Sequence, residues 1–230
     1  MKFLSYNPGQ DGAIAFLQDA RLMFSIEAEK DSNYRYSAIS VSEVLDAVGE
    51  LGVIPDVICM SGWWPLDHYE YLHGSHRNGG YHGVSSASAI MDKGRLLRGR
   101  ADYFSSSHER SHILCAFGMS ALPKGTACYA LVWEGEMGAF YEIDSELNIT
   151  LIADVLNQPG NRYGLLYGLA DPTFPKDGPY PHASHAGKLM ALASFSKRSM
   201  PTEEEKELRP VIVPVTEVAR RPPPAVVSKS

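Results

Sequence analysis

Three short apolar runs, each closed by a tight turn, precede anything with helical spacing, and that order constrains the fold more than any other feature of the chain. Phe3 to Asn7 is stopped by Pro8-Gly9 and the polar Gln10-Asp11-Gly12. Ala13 to Gln18 and Arg21 to Glu27 follow, parted by Asp19-Ala20, and read as a hairpin. Only then does the period change. Val44, Leu45, Val48 and Leu51 recur at helical intervals, with Ser40 or Ser42 placed to cap the start and Gly52 the end. Asp56 to Ser61 reads as a buried-type strand. A meander, a helix and a further strand predict an α/β layered domain.

Trp63 to Arg100 is rich in Gly, His, Tyr and Ser and reads as a long loop with short elements. Ser105 to Leu122 fits a helix with His108, His112, Cys115, Ala116 and Met119 on one side and Pro123 at its end. Thr126 to Trp133, Gly138 to Ile143 and Thr150 to Val155 form a second set of strands. This strand–turn–strand pattern repeats that of the N-terminus and predicts a duplicated arrangement. Tyr163 to Ala170 and Lys188 to Phe195 are helical candidates. The expected division is a first lobe over 1–125, the incomplete start of a second over 126–200, and an extended or disordered tail over 201–230, where Glu203-Glu204-Glu205 and Arg220-Arg221-Pro222 follow one another.

Hydrophobic residues make up 44% and charged residues 21%, enough for a buried core. The 27 acidic against 21 basic residues, a net charge of −6, argue against a nucleic-acid binder, which needs a basic face. No apolar run reaches about 18 residues, so no membrane span is expected. The apolar start is too short for a signal peptide. Three cysteines, Cys59, Cys115 and Cys128, lack metal spacing, and a reduced, cytoplasmic protein is expected.

His108-Glu109-Arg110-Ser111-His112 is the sharpest chemical signal. Histidines at i and i+4 share one helix face and can grip one divalent ion. The same five residues fit the H-E-x-x-H pattern of zinc metalloproteases, with Glu109 as general base. Two ordinary histidines beside a loop is the competing reading. Glu134 and Glu136 sit in the turn after an apolar strand, where a carboxylate can serve as a third ligand or simply face solvent. Asn7 to Gly12 follows the first strand; its small residues admit a polar ligand, and Asp11 suits a hydroxyl or a cation, or just the turn. Gly187-Lys188 puts backbone N–H groups and a cation before an apolar helix. His68, His73, His76 and His82 are irregularly spaced, which favours loop histidines over a second metal site.

Taken in order, these segments resemble the nodulation-type and cephamycin-type O-carbamoyltransferases. Ser5 to Ala13 is similar to the family's opening G-x-N-x-G-H-D-A-A/S, Phe24 to Lys30 to its A-x-V-E-E-E-R, and His108 to Phe117 to its H-H-L-x-H-A-x-S-A-F. Tyr163 to Tyr167 and Gly187 to Ala193 are similar to S-L-G-L-F-Y and G-K-x-M-G-L-A. Gln10 and Glu109 stand where the family has His, Glu134 where it has Asp, and Ala191 where it has Gly.

The resemblance implies the N-terminal part of an actin/hexokinase-like (ribonuclease-H-like) duplicated fold, related to the tRNA threonylcarbamoyl transferases, with the second copy incomplete. It implies transfer of a carbamoyl group from carbamoyl adenylate, itself made from carbamoyl phosphate and ATP, to a small-molecule hydroxyl. An Fe2+-type ion held by His108, His112 and Glu134 would lie between the lobes. Gly9, Asp11, Gly135 and Lys188 would bind the nucleotide-linked donor, with Asp11, His108 and His112 as the catalytic set. Three readings follow: this enzyme fragment; a non-catalytic remnant or split subunit that acts only with a second chain carrying the missing domains; and a zinc metalloprotease.

Overall fold

Leu4 on β1 (Lys2–Asn7) and Ile14 and Phe16 on β2 (Ala13–Gln18) are buried, and they begin the first core. The alternation of side chains along paired strands puts them on one face. The computed structural model describes residues 1–7, 9, 11–34, 36–62, 79–96, 99–174, 183–195 and 200–212. The chain divides into two units, Met1–Met119 and Ser120–Ser230, with the boundary ahead of the one expected at 125.

In the first unit β1 pairs antiparallel with β2, and β2 with β3 (Arg21–Glu27). Phe16 lies opposite Phe24, their rings stacked at 6.0 Å. A short helix α1 (Ala28–Ser32), which has no sequence signature of its own, follows directly from β3. Helix α2 (Val41–Leu51) begins at a complete capping box: Ser40 Oγ accepts from the Glu43 N–H, and the Glu43 carboxylate accepts from the Ser40 N–H. Gly52 ends it in the left-handed region, at φ 58°. Ala47 of α2 is buried with Leu4, Ile14, Phe16, Ala28 and Ile39, and Val44, Val48 and Leu51 pack against that cluster.

β4 (Val57–Ser61) then lies parallel to β1 and β6 (Gly99–Ser106) parallel to β4, while β5 (Ala89–Leu96) pairs antiparallel with β6. The strand order is β3-β2-β1-β4-β6-β5. The hairpin β5–β6 corrects the expectation of a loop reaching Arg100; residues 63–78, with His68, His73 and His76, lie outside the described residues. Edge strand β5 carries Asp92, Lys93 and Arg95, so it lacks the apolar alternation that marks a strand in sequence. The helix expected from Ser105 starts later, because β6 runs through Ser106; α3 spans His108–Met119.

The second unit opens on a three-stranded antiparallel meander, β7 (Cys128–Trp133), β8 (Gly138–Ile143) and β9 (Ile149–Asp154). Val132, Ala139, Tyr141, Ile143, Ile149 and Ala153 are its buried residues. Helices α4 (Pro159–Ala170) and α5 (Ala183–Ser194) pack on each other. Glu203–Ile212 forms α6, where an extended or disordered tail was expected. Thr202 and Glu205 explain it, since they make a second capping box around an acidic first turn. Residues 213–230 lie outside the described residues. Both units thus begin with a consecutive three-strand meander on an α/β plan.

Candidate metal centre

The centre of interest lies where β6 becomes α3. Ser107 is fully buried at the junction. Its Oγ accepts from the Arg110 N–H at 3.1 Å and donates to the Gly83 carbonyl, so it caps the helix while tying in a distant segment. α3 has no continuous apolar stripe. Only Glu109 and Ile113 are buried along it, with Leu114 and Phe117 half-buried.

His108 and His112, one turn apart, bring their Nε2 atoms to 3.0 Å, with the rings edge to face at 4.5 Å. A neutral pair at this distance is held by one ring's N–H donating to the other's lone pair. The spacing also suits two neighbouring ligands of one first-row ion with bonds of about 2.0–2.1 Å. The donor set therefore fits a divalent metal. Tyr81, a buried ring, is stacked on His108 at 4.6 Å and 17°.

Glu109 points elsewhere. It is buried, and Oε2 accepts from the Gly83 N–H at 2.7 Å, with His82 Nδ1 at 3.8 Å. A carboxylate committed to a backbone N–H inside the protein is a poor general base, so this geometry speaks against the H-E-x-x-H reading. The expected loop histidine His82 is exposed beside it.

Glu134 belongs to the second unit, in the β7–β8 turn. Its Oε1 accepts from the N–H groups of Glu136 and Met137 at 3.2 and 3.1 Å. Gly135 lies against the start of α4: a Cβ added to Gly160 would stand 2.7 Å from the Gly135 Cα. Glu136 accepts from the side chains of Gln158 and Asn161. This turn and the first turn of α4 form one hydrogen-bonded nest.

Asp11 follows Gly9 in the β1–β2 turn at φ 55°, and its carbonyl accepts from Asn7 Nδ2 at 3.1 Å. Gln10 lies outside the described residues. Lys188 on α5 places its ammonium 5.6 Å over the Tyr167 ring. It lines a cavity of about 310 Å³ with Asp171, Leu192 and Phe195. The Tyr167 hydroxyl donates to Asp171 at 2.5 Å. That bond, with Thr173, holds the Asp171 carboxyl down at about 2 and pushes the Tyr167 hydroxyl up. Tyr81 is signalled by no motif, and the motif that ends on Tyr167 does not reach its partner Asp171.

No family model matches the chain. It is 44% identical over 195 residues to a 3'-hydroxymethylcephem-O-carbamoyltransferase of Amycolatopsis lactamdurans, an alignment covering 85% of this chain and 36% of that protein. The enzyme of the same name from Streptomyces clavuligerus is 43% identical over 195 residues, with the same coverage. Nodulation protein U of Rhizobium tropici is 30% identical over 215 residues, covering 81% of this chain and 35% of that protein. The matched region is the N-terminal part of these relatives, and the chain spans about a third of their length.

Proposed function

We propose that this chain, related to the O-carbamoyltransferases along about a third of their length, carries the metal-binding part of an enzyme that moves a carbamoyl group onto a small-molecule hydroxyl. The observation that carries this reading is the convergence of His108 and His112 Nε2 at 3.0 Å, on the motif that most resembles the family. We read the two units as lobes of an actin/hexokinase-like fold. Support comes from the order β3-β2-β1-β4-β6 with β1, β4 and β6 parallel, and from the repeated meander.

In this reading His108 and His112 bind the ion through Nε2. Imidazole ligands suit a first-row ion such as Fe2+. Such an ion supplies Lewis acidity toward a carbonyl and neutralises charge on the group transferred. Gly9 leaves room at the β1–β2 turn for the donor, carbamoyl adenylate, derived from carbamoyl phosphate and ATP. Asp11 orients the acceptor hydroxyl. Gly135 keeps the β7–β8 turn open to close approach, and Lys188 offers a positive charge to a phosphate. In this reading the reaction is cytoplasmic. Among the described residues no helix is long and apolar enough to cross a membrane.

A second reading has the chain acting only with another polypeptide. The alignments cover 36% of the cephem enzymes, so the test includes the remaining part. The test is transfer of label from carbamoyl phosphate to 3'-hydroxymethylcephem in the presence of ATP and Fe2+, with the chain alone and with a polypeptide spanning the remaining part of the relatives. Transfer lost on His112→Ala supports the catalytic reading. Transfer by the mixture that ignores both His108→Ala and His112→Ala overturns it.

A further inference from the structure

We infer that Tyr81 is a positioning residue for His108, held in place by a strap of residues 79–84 that Glu109 latches to the start of α3. The inference rests on the metal reading above but concerns residues outside its ligand set.

The strap is bound at every step. Gly79 N–H donates to Ser105 Oγ at 2.9 Å; His108 and Glu109 N–H groups donate to the Gly80 and Tyr81 carbonyls, each at 3.0 Å. Arg110 Nη1 reaches the Val84 carbonyl at 2.7 Å. The first turn of a helix leaves N–H groups without intrahelical partners, and here the strap accepts two of them. The Glu109 carboxylate completes the latch from inside through the Gly83 N–H. The close fit leaves no room for a side chain at Gly79, where a Cβ would stand 2.4 Å from the Ser106 carbonyl carbon.

This fixed backbone delivers Tyr81 flat against the His108 ring. A stacked ring restricts rotation of the imidazole about its Cβ–Cγ bond, and that rotation decides whether Nε2 faces His112 or swings away. Metal-bound histidines are ordinarily oriented by a hydrogen bond to the far nitrogen. In this site a ring face contributes to that orientation. Glu109, the residue that creates the protease-like pattern, thereby has a structural task.

The test uses the full chain and Co2+ as probe, followed by its visible absorption, together with imidazole proton shifts of histidine-labelled, metal-free protein. Tyr81→Leu keeps an apolar buried side chain but removes the ring. It is expected to weaken Co2+ binding about 10–100-fold, the range of an outer-shell loss, and to abolish the upfield ring-current shift of the His108 resonances. Tyr81→Phe retains both. Glu109→Gln, whose amide oxygen still accepts from Gly83, retains both, whereas Glu109→Ala behaves like Tyr81→Leu. If Tyr81→Leu binds Co2+ like the unaltered chain while His108→Ala does not, the positioning role is wrong and the metal reading stands. If the unaltered chain binds no Co2+, the metal reading fails. The His108 shifts then decide the positioning alone: a shift unmoved by Tyr81→Leu overturns it.

Discussion

The Nε2 atoms of His108 and His112 stand 3.0 Å apart across the first turn of α3. Either ring alone is a weak ligand, and in the proposed site the two act as a pair. Replacing either one by Ala is expected to weaken Co2+ or Fe2+ binding by more than the roughly 10–100-fold that an outer-shell change costs. Calorimetric titration of the two variants checks this. Equal affinity in either variant would place the ion elsewhere.

Acid should act on the α4–α5 region in a defined window. Asp171 is held at about 2, first by the Tyr167 hydroxyl and then by Thr173. A depressed carboxyl contributes stability above its ordinary value near 3.8, and that contribution is lost as pH falls through about 2. In Tyr167→Phe the largest cause disappears, so the Asp171 midpoint should rise toward the ordinary value. Carboxyl carbon shifts during an acid titration report it; an unchanged midpoint would contradict the assignment.

Ser40 satisfies a helix N–H that would otherwise face water unpaired. Ser40→Ala is expected to cost about 1 kcal/mol, within the usual range for a lost cap. Urea unfolding followed on the first unit measures it. Ser42→Ala serves as the comparison and should cost less, because the Ser42 hydroxyl pairs with that of Ser40 and caps no helix N–H among the described residues.

Gly62 faces backbone on three sides. An added Cβ would lie 2.1 Å from the Gly80 carbonyl oxygen and 2.6 Å from that of Ser106. Neither is a flexible side-chain end, so Gly62→Ala should destabilise the first unit by about 1–3 kcal/mol, as overpacking does. Its strap contacts should loosen as well, read as faster amide exchange at Gly83. Wild-type stability and protection would show that the backbone gives way freely.

Burial pushes the Cys59 thiol up to about 11, whereas Cys115 is exposed. The thiolate is the reactive form. Iodoacetamide at pH 8 is therefore expected to label Cys115 well before Cys59, as peptide mapping would show. The raised value also means that stability from Cys59 is intact below about 9 and falls as pH climbs through about 11. Labelling of Cys59 at the faster rate would refute its burial.

Local signals were readable and long-range ones were not. β2, β3 and β8 occupy the spans that their alternation marks out, and α2 starts and stops where Ser40 and Gly52 direct. The histidine pair is equally local, since i and i+4 always share a face. β6 has no clear apolar period in sequence, because its most buried strand-interior residue is Ala101, flanked by Arg100 and Asp102. Glu109 looked like a base because its burial depends on Gly83, brought in by the strap. Tyr81 could not be found at all, since its role exists only once residues 79–84 lie along the strand-to-helix junction. In the tail, the acidic run overlaps the Thr202 and Glu205 spacing that marks a helix start.

One residue, Ser107, separates the end of β6 from the first histidine of α3. With so little slack, the hydrogen-bond register of a strand clamped between two neighbours dictates the azimuth of the helix. Inserting a single residue there would rotate both imidazoles by about 100° together, turning the pair away as a unit while leaving its own spacing intact.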